Sequence, residues 1–230
     1  MGPFPQKLAA EFLGTFTWIF LGAGAVCATR LWADGNPGLL GVALAHGIAV
    51  AVMVTALGHI SGGHFNPAVT IGFWVSRKMG TLEGLAYWVA QLLGATAAAY
   101  LLTLLFPEDV WRAARLGTPT LAADLPVING ILIEAVLTFI LVVVVFGAAA
   151  DPKSGAKKLA GLAIGLTVTG DILMGGPLTG AAMNPARAFG PALAAKAWAH
   201  HGVYWVGPLL GGALAGWLYS LLFREKGQEA

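Results

Sequence analysis

Hydrophobic positions in this chain run in long unbroken blocks, and polar positions gather between the blocks. Six blocks lie near residues 7–28, 39–60, 82–105, 128–150, 158–175 and 202–223. Each approaches the roughly 20 residues that cross a bilayer as a helix rising 1.5 Å per residue. The joins carry turn chemistry: Asp34-Gly35-Asn36-Pro37, Pro107-Glu108-Asp109, Asp151-Pro152-Lys153-Ser154-Gly155 and Gly175-Gly176-Pro177. Two apolar pieces remain, 61–78 and 177–197, both too short to span. They read as re-entrant half-helices. The predicted fold is an all-α membrane bundle of six spans and two half-helices.

Composition agrees with this pattern. Hydrophobic residues make up 57% of the 230 and charged residues 10%, against about 25% charged in soluble domains. The net charge of +2 comes with no basic patch interleaved with aromatics, so nucleic acid is not an expected partner. Cys27 is the only cysteine, which excludes an intrachain disulfide. The N-terminal apolar run continues too far, and holds Glu11, for a cleaved signal peptide.

Basic residues set the orientation. With both termini in the cytoplasm, the inside holds Lys7, Arg77, Lys78, Lys153, Lys157, Lys158, Arg224 and Lys226; the outside holds Arg30, Arg112, Arg115 and Lys196. Eight against four favours an even number of spans with both ends inside.

The chain also repeats itself. Tyr87–Ala95, YWVAQLLGA, returns as Tyr204–Gly212, YWVGPLLGG. Glu11 with Thr15-Phe16 returns as Glu134 with Thr138-Phe139. Asn66-Pro67-Ala68 returns as Asn184-Pro185-Ala186, and the distance to the following Tyr-Trp tryptophan is 22 residues in one copy and 21 in the other. Repeats 7–105 and 128–223 therefore hold three spans and one half-helix each. An odd span count inverts the second repeat in the membrane, so the half-helices enter from opposite faces and meet near the midplane of a single transmembrane domain.

The tripeptide suits that place. Asn is a strong N-cap, and Pro at the first helical position loses no needed N–H. Two helix N-termini directed at one point present two positive dipole ends of roughly half a charge each, which repel cations. The Asn amides offer donors to a small molecule. The carbonyls of Gly62, Gly63, His64, Gly180, Ala181 and Ala182, just upstream, are natural acceptors, because irregular backbone at this depth must be buried or line a watery cavity.

These paired motifs, with the repeat around them, resemble the aquaporins of the major intrinsic protein family over nearly the whole chain. The resemblance implies a passive channel for water and small neutral solutes, without cofactor or catalytic group, assembled as a homotetramer. It also implies a narrow outer constriction built from four positions, here His46, Ile172, Ala181 and Arg187. Arg187 has a reading of its own: it lies three residues after Asn184 on the same helix face, and a charge at that depth is functional by default. The set His, Ile, Ala, Arg is similar to that of the plant tonoplast intrinsic proteins, as is GDILMGG before the second loop. It implies a wider, partly apolar aperture that admits ammonia, and urea or hydrogen peroxide, beside water. His46 would make the ring pH-sensitive. The glycerol-conducting branch carries Asp after the motif Arg; here Ala188 stands there. A polyol facilitator of the same fold is the alternative permeant class.

The remaining polar residues read as structural. Glu11 and Glu134 hold backbone N–H groups of the two re-entrant loops; a proton relay there would undo the charge barrier. His64 belongs to loop geometry, and His59 to a contact at the inner end of its span. Asp171 points about 100° from Ile172 and satisfies loop backbone. A metal at His200-His201 has little support. Gly47, Gly94, Gly165, Gly211 and Gly212 mark close helix crossings. The position often filled by Cys in mercury-sensitive relatives is Ala181. An ion-coupled transporter would also use an inverted repeat, but needs an acidic residue at the midplane, and none adjoins the tripeptides. A non-conducting scaffold leaves Arg187 unexplained, and no nucleophile–base set suggests an enzyme. The short termini and loops point to a prokaryotic plasma membrane, or to a vacuolar-type membrane if the source is eukaryotic.

Overall fold

The computed structural model describes residues 1–31, 36 and 38–223. Asp34, Gly35 and Pro37 of the first turn signal, and Arg224 and Lys226 of the charge tally, lie outside the described residues. Among the described residues, six helical segments are long and apolar enough to cross a membrane: Phe4–Leu31, Gly38–Ser61, Thr81–Leu105, Val127–Ala150, Lys157–Thr179 and Val203–Phe223. In chain order, α1 is Phe4–Leu31, α2 Gly38–Ser61, α3 Pro67–Val75, α4 Thr81–Leu105, α5 Glu108–Ala113, α6 Val127–Val145, α7 Ala160–Thr179, α8 Pro185–Ala195 and α9 Val203–Phe223. The fold is all-helical, with α3 and α8 as the short re-entrant pieces. Large apolar side chains stand exposed along the spans, among them Ile48, Val52, Val89, Leu104, Leu132 and Leu210. Such a surface suits a bilayer and not water.

The spans pair by matched partners. α1 packs on α4, α6 on α9, and α2 on α7. Each half-helix docks on the opposite half of the chain: α3 on α9 and α8 on α4. Glycines set the closest approaches. A Cβ at Gly165 of α7 would stand 2.3 Å from the Gly47 carbonyl of α2, and one at Gly94 of α4 would stand 2.3 Å from the Phe12 carbonyl of α1. Helix axes this close exclude any side chain at the crossing. At one end of the bundle, Lys7 of α1 meets Glu83 of α4 at 2.7 Å.

Two turn expectations are corrected and a third holds. Gly175-Gly176-Pro177 does not break the fifth span. α7 continues through Pro177 and stops at Gly180, whose φ of +84° takes the left-handed path a helix C-cap favours. Pro177 costs α7 its own bond to the Leu173 carbonyl, and the helix runs only two residues beyond it. The half-helices are correspondingly shorter than the pieces 61–78 and 177–197, because Ser61 still belongs to α2, residues 177–179 belong to α7, and an irregular loop precedes each asparagine. Pro107-Glu108-Asp109 opens α5: Pro107 precedes the first turn, and Glu108 and Asp109 lie in it, where carboxylates favour the positive end of the helix dipole. The Asp151–Gly155 segment is a turn, entered through one π-helical stretch, Phe146–Ala150. There the Lys153 N–H and the Tyr219 hydroxyl donate to Asp151 and hold its carboxyl below the usual carboxylate range.

Candidate functional site

The two tripeptides cap their helices as their chemistry dictates. Asn66 is the N-cap of α3; its Oδ1 accepts from the Ala68 N–H at 2.7 Å, and Pro67 opens the helix. Asn184 caps α8 through bonds from the Ala186 and Arg187 N–H groups at 2.9 and 3.2 Å, and Pro185 opens that helix. Asn66, Pro67, Ala68, Asn184, Pro185 and Ala186 are all buried.

The amide ends do something further. Asn66 Nδ2 donates to the Met183 carbonyl at 2.9 Å, and Asn184 Nδ2 donates to the Phe65 carbonyl at 3.0 Å. Each cap therefore reaches the residue just before the other cap. One amide hydrogen per asparagine stays free of these bonds, so each side chain offers a single donor, fewer than the sequence suggested. The acceptors are aimed by strained backbone: Phe65 has φ of 49° and Met183 of 52°, a left-handed conformation costly for bulky side chains.

Carboxylates from α1 and α6 pin the approach loops. Glu11 Oε1 accepts from the Ser61 hydroxyl at 2.6 Å and the His64 N–H at 3.0 Å; its Oε2 accepts from the Phe65 N–H at 2.6 Å and Gln91 at 2.7 Å. Glu134 Oε1 accepts from the Thr179 hydroxyl at 2.7 Å and the Ala182 N–H at 2.9 Å; its Oε2 accepts from the Met183 N–H at 2.7 Å. Both carboxylates are fully buried. Tyr87 and Tyr204, from the repeated YWV segments, donate to the Ser61 and Thr179 carbonyls. With the N–H side of each loop occupied, the carbonyls of Gly62, Gly63, His64, Gly180, Ala181 and Ala182 accept no hydrogen bond among the described residues. The His64 ring bonds Thr70 and lies tilted against the Phe73 ring.

The four positions of the narrow point fall as follows. Arg187 is 4% exposed, and its Nη1 donates to the Gly117 carbonyl at 2.7 Å while its Nε has no protein partner. Gly117 ends a tight turn, Arg115–Gly117, between α5 and α6. No sequence signal linked it to a side chain 70 residues on. Ile172 and Arg187 border one cavity of about 510 Å³, together with Arg30, Val42 and Gly180. His46 and Ala181 are each 1% exposed and stand off that cavity. His46 Nδ1 pairs with the Val42 carbonyl at 2.9 Å, Nε2 has no protein partner, and Arg187 is within electrostatic reach.

Two side chains differ from expectation. Among the described residues Asp171 makes no hydrogen bond, and its Oδ2 is buried without a partner; the backbone it was expected to serve is served by Glu134. His59 is exposed in the last turn of α2 and makes no polar contact among the described residues.

Comparison with known proteins accords with this geometry. The profile of the major intrinsic protein family matches residues 2–219. Aquaporin TIP2-1 of Arabidopsis thaliana is 46% identical over 225 residues, covering 96% of this chain and 88% of that protein. Aquaporin TIP4-4 of Zea mays is 46% identical over 228 residues, with the same coverage. The X-ray structure of the aquaglyceroporin from Plasmodium falciparum superposes with a TM-score of 0.84 at 24% identity, covering 96% of this chain and 97% of that one; that likeness speaks to the fold. With a profile match over nearly its full length and relatives this similar, the chain belongs to the major intrinsic protein family.

Proposed function

We propose that this protein is a passive membrane channel that conducts water, and ammonia beside it, while excluding protons and ions. The crossed asparagine bonds carry the proposal: they set the N-termini of α3 and α8 against each other. A water passing there accepts from the free amide hydrogens, so it cannot accept from the next water, and the proton chain is broken. The two dipole ends add roughly one positive charge. The unpaired carbonyls before each cap supply acceptors along the approach, replacing hydration that a permeant gives up.

In this reading His46, Ile172, Ala181 and Arg187 form the selectivity filter. Arg187 is fixed by the Gly117 carbonyl, keeps a free Nε, and presents charge against cations. Ile172 and Ala181 leave the opposite wall apolar and wide enough for ammonia. Repeats 7–105 and 128–223 are inverted copies, and subunits assemble as a homotetramer with one pore each. Both termini lie in the cytoplasm. The membrane is the plasma membrane, or a vacuolar-type one in a eukaryotic source; the names of the plant relatives favour the latter kind of channel.

Stopped-flow light scattering on proteoliposomes tests this, with water and ammonia flux read on one preparation and proton leak by an internal dye. Fast shrinkage of low activation energy, ammonia flux above empty liposomes and no proton leak are expected. His46→Phe is expected to lower ammonia flux more than water flux. Water flux without ammonia flux would overturn the filter reading; gradient-coupled, saturable uptake would overturn the channel.

A further inference from the structure

The close approach of α1 to the His46 ring points to a positioning residue outside the four filter positions. A Cβ built on Gly22 of α1 would stand 2.5 Å from His46 Cδ2, 2.5 Å from Nε2 and 2.7 Å from Cε1. These are the three atoms at the far end of the ring. Gly22 is itself buried, so the imidazole rests on its bare backbone. The near end of the ring is tethered by the bond between Nδ1 and the Val42 carbonyl. Helix α2 cannot back away, because Gly47 already meets Thr169 and Gly165 of α7 on its other side.

We infer that Gly22 sets how far the His46 ring recedes toward α1, and so sets the aperture of the filter. This rests on the reading of His46 as a filter residue. A methyl group at position 22 leaves the ring about 1 Å too close for van der Waals contact. The ring can yield only away from α1, by turning about its own side-chain torsions. On the filter reading, that motion carries Nε2, which has no partner among the described residues, off α1 and into the aperture. The missing side chain at Gly22 is thus the space that makes a histidine compatible with an open ring. The same methyl would be harmless if residue 46 were small.

The test is Gly22→Ala, His46→Ala and the double variant, each purified and reconstituted. Ammonia and water permeability are measured per reconstituted channel, alongside melting temperature. Gly22→Ala is expected to lower ammonia permeability about fivefold or more, on the scale that small-to-large strain imposes when it falls on the permeation barrier, and to lower the ammonia-to-water ratio. In the His46→Ala background the same change is expected to leave both fluxes as they are in His46→Ala alone. If Gly22→Ala does not fold, recovery of folding in the double variant shows that the ring is what the methyl meets. The aperture is then read from the ammonia-to-water ratio of Gly22→Ala with His46→Asn, whose shorter side chain is expected to restore folding and a wild-type or higher ratio; a ratio below wild type there would overturn the inference.

Unchanged flux and ratio in Gly22→Ala would overturn the inference. So would an equal loss in the His46→Ala background, which would place the clash elsewhere. If His46→Ala alone left both fluxes and their ratio at the wild-type values, the filter reading of His46 would fail, and this result is read independently of position 22.

Discussion

Replacing Glu134 tests whether the buried carboxylates are scaffold or proton path. Three donors converge on this side chain: the Thr179 hydroxyl and the Ala182 N–H on one oxygen, the Met183 N–H on the other. Glutamine keeps one oxygen. With that oxygen serving Thr179 and Ala182, the amide nitrogen faces the Met183 N–H, donor against donor. One buried N–H is then orphaned, at about 1–3 kcal/mol. Alanine orphans both N–H groups, about 2–6 kcal/mol by the same count, and leaves a void as well. The Thr179 hydroxyl escapes, because the Gly175 carbonyl lies 3.5 Å away as a second acceptor. At about 2–4 °C per kcal/mol for a chain of this length, Glu134→Gln is expected to melt roughly 2–12 °C below wild type, and Glu134→Ala further below. Tryptophan fluorescence during heating of the purified protein in detergent reads this, and water flux well below the transition shows whether the loop still forms the pore. A proton relay predicts the reverse pattern, with stability kept and proton flux altered. Melting of both variants within about 1 °C of wild type, or of Gln below Ala, would refute the hydrogen-bond count, the former on the scale set by one orphaned N–H.

Two further substitutions address charge and access. Asn184→Asp removes the donor to the Phe65 carbonyl and sets about one negative charge against two dipole ends of roughly half a positive charge each; proton leak into dye-loaded proteoliposomes is expected to rise above wild type, and an unchanged leak with intact water flux would argue against the dipole barrier. Cys27 is the only thiol and is fully buried among core residues of α1, so mercurials are expected to inhibit water flux weakly; strong inhibition that persists in Cys27→Ala would contradict this.

What the sequence disclosed was local or periodic. The spans follow from block length, and the caps of α3 and α8 follow from Asn-Pro, whose side chain and missing N–H act within three residues. Glu11 and Glu134 were legible as loop supports because both recur at the same place in the two repeats. The crossed bonds were not legible. Their acceptors are backbone carbonyls of Phe65 and Met183, and nothing in a phenylalanine or a methionine announces a left-handed conformation. The Gly117 contact to Arg187 was hidden for a similar reason: a carbonyl has no residue type. Pro177 misled because it breaks helices in general, yet lies three residues before the cap that ends this one.

These hidden contacts share one logic. A loop buried in a membrane has to pair its N–H and C=O groups or keep them wet. Here Glu11 takes the N–H groups of His64 and Phe65, and Glu134 takes those of Ala182 and Met183. That leaves the neighbouring carbonyls of each loop without partners among the described residues, and only the last carbonyl of each loop is claimed, by the opposing asparagine. A loop satisfied on both sides would be as stable but closed to a polar permeant. A loop satisfied on neither would not hold its shape. In the proposed channel the carboxylates are therefore the condition for a polar lining in an apolar fold, which gives a reason for one such residue to recur in each half of the chain.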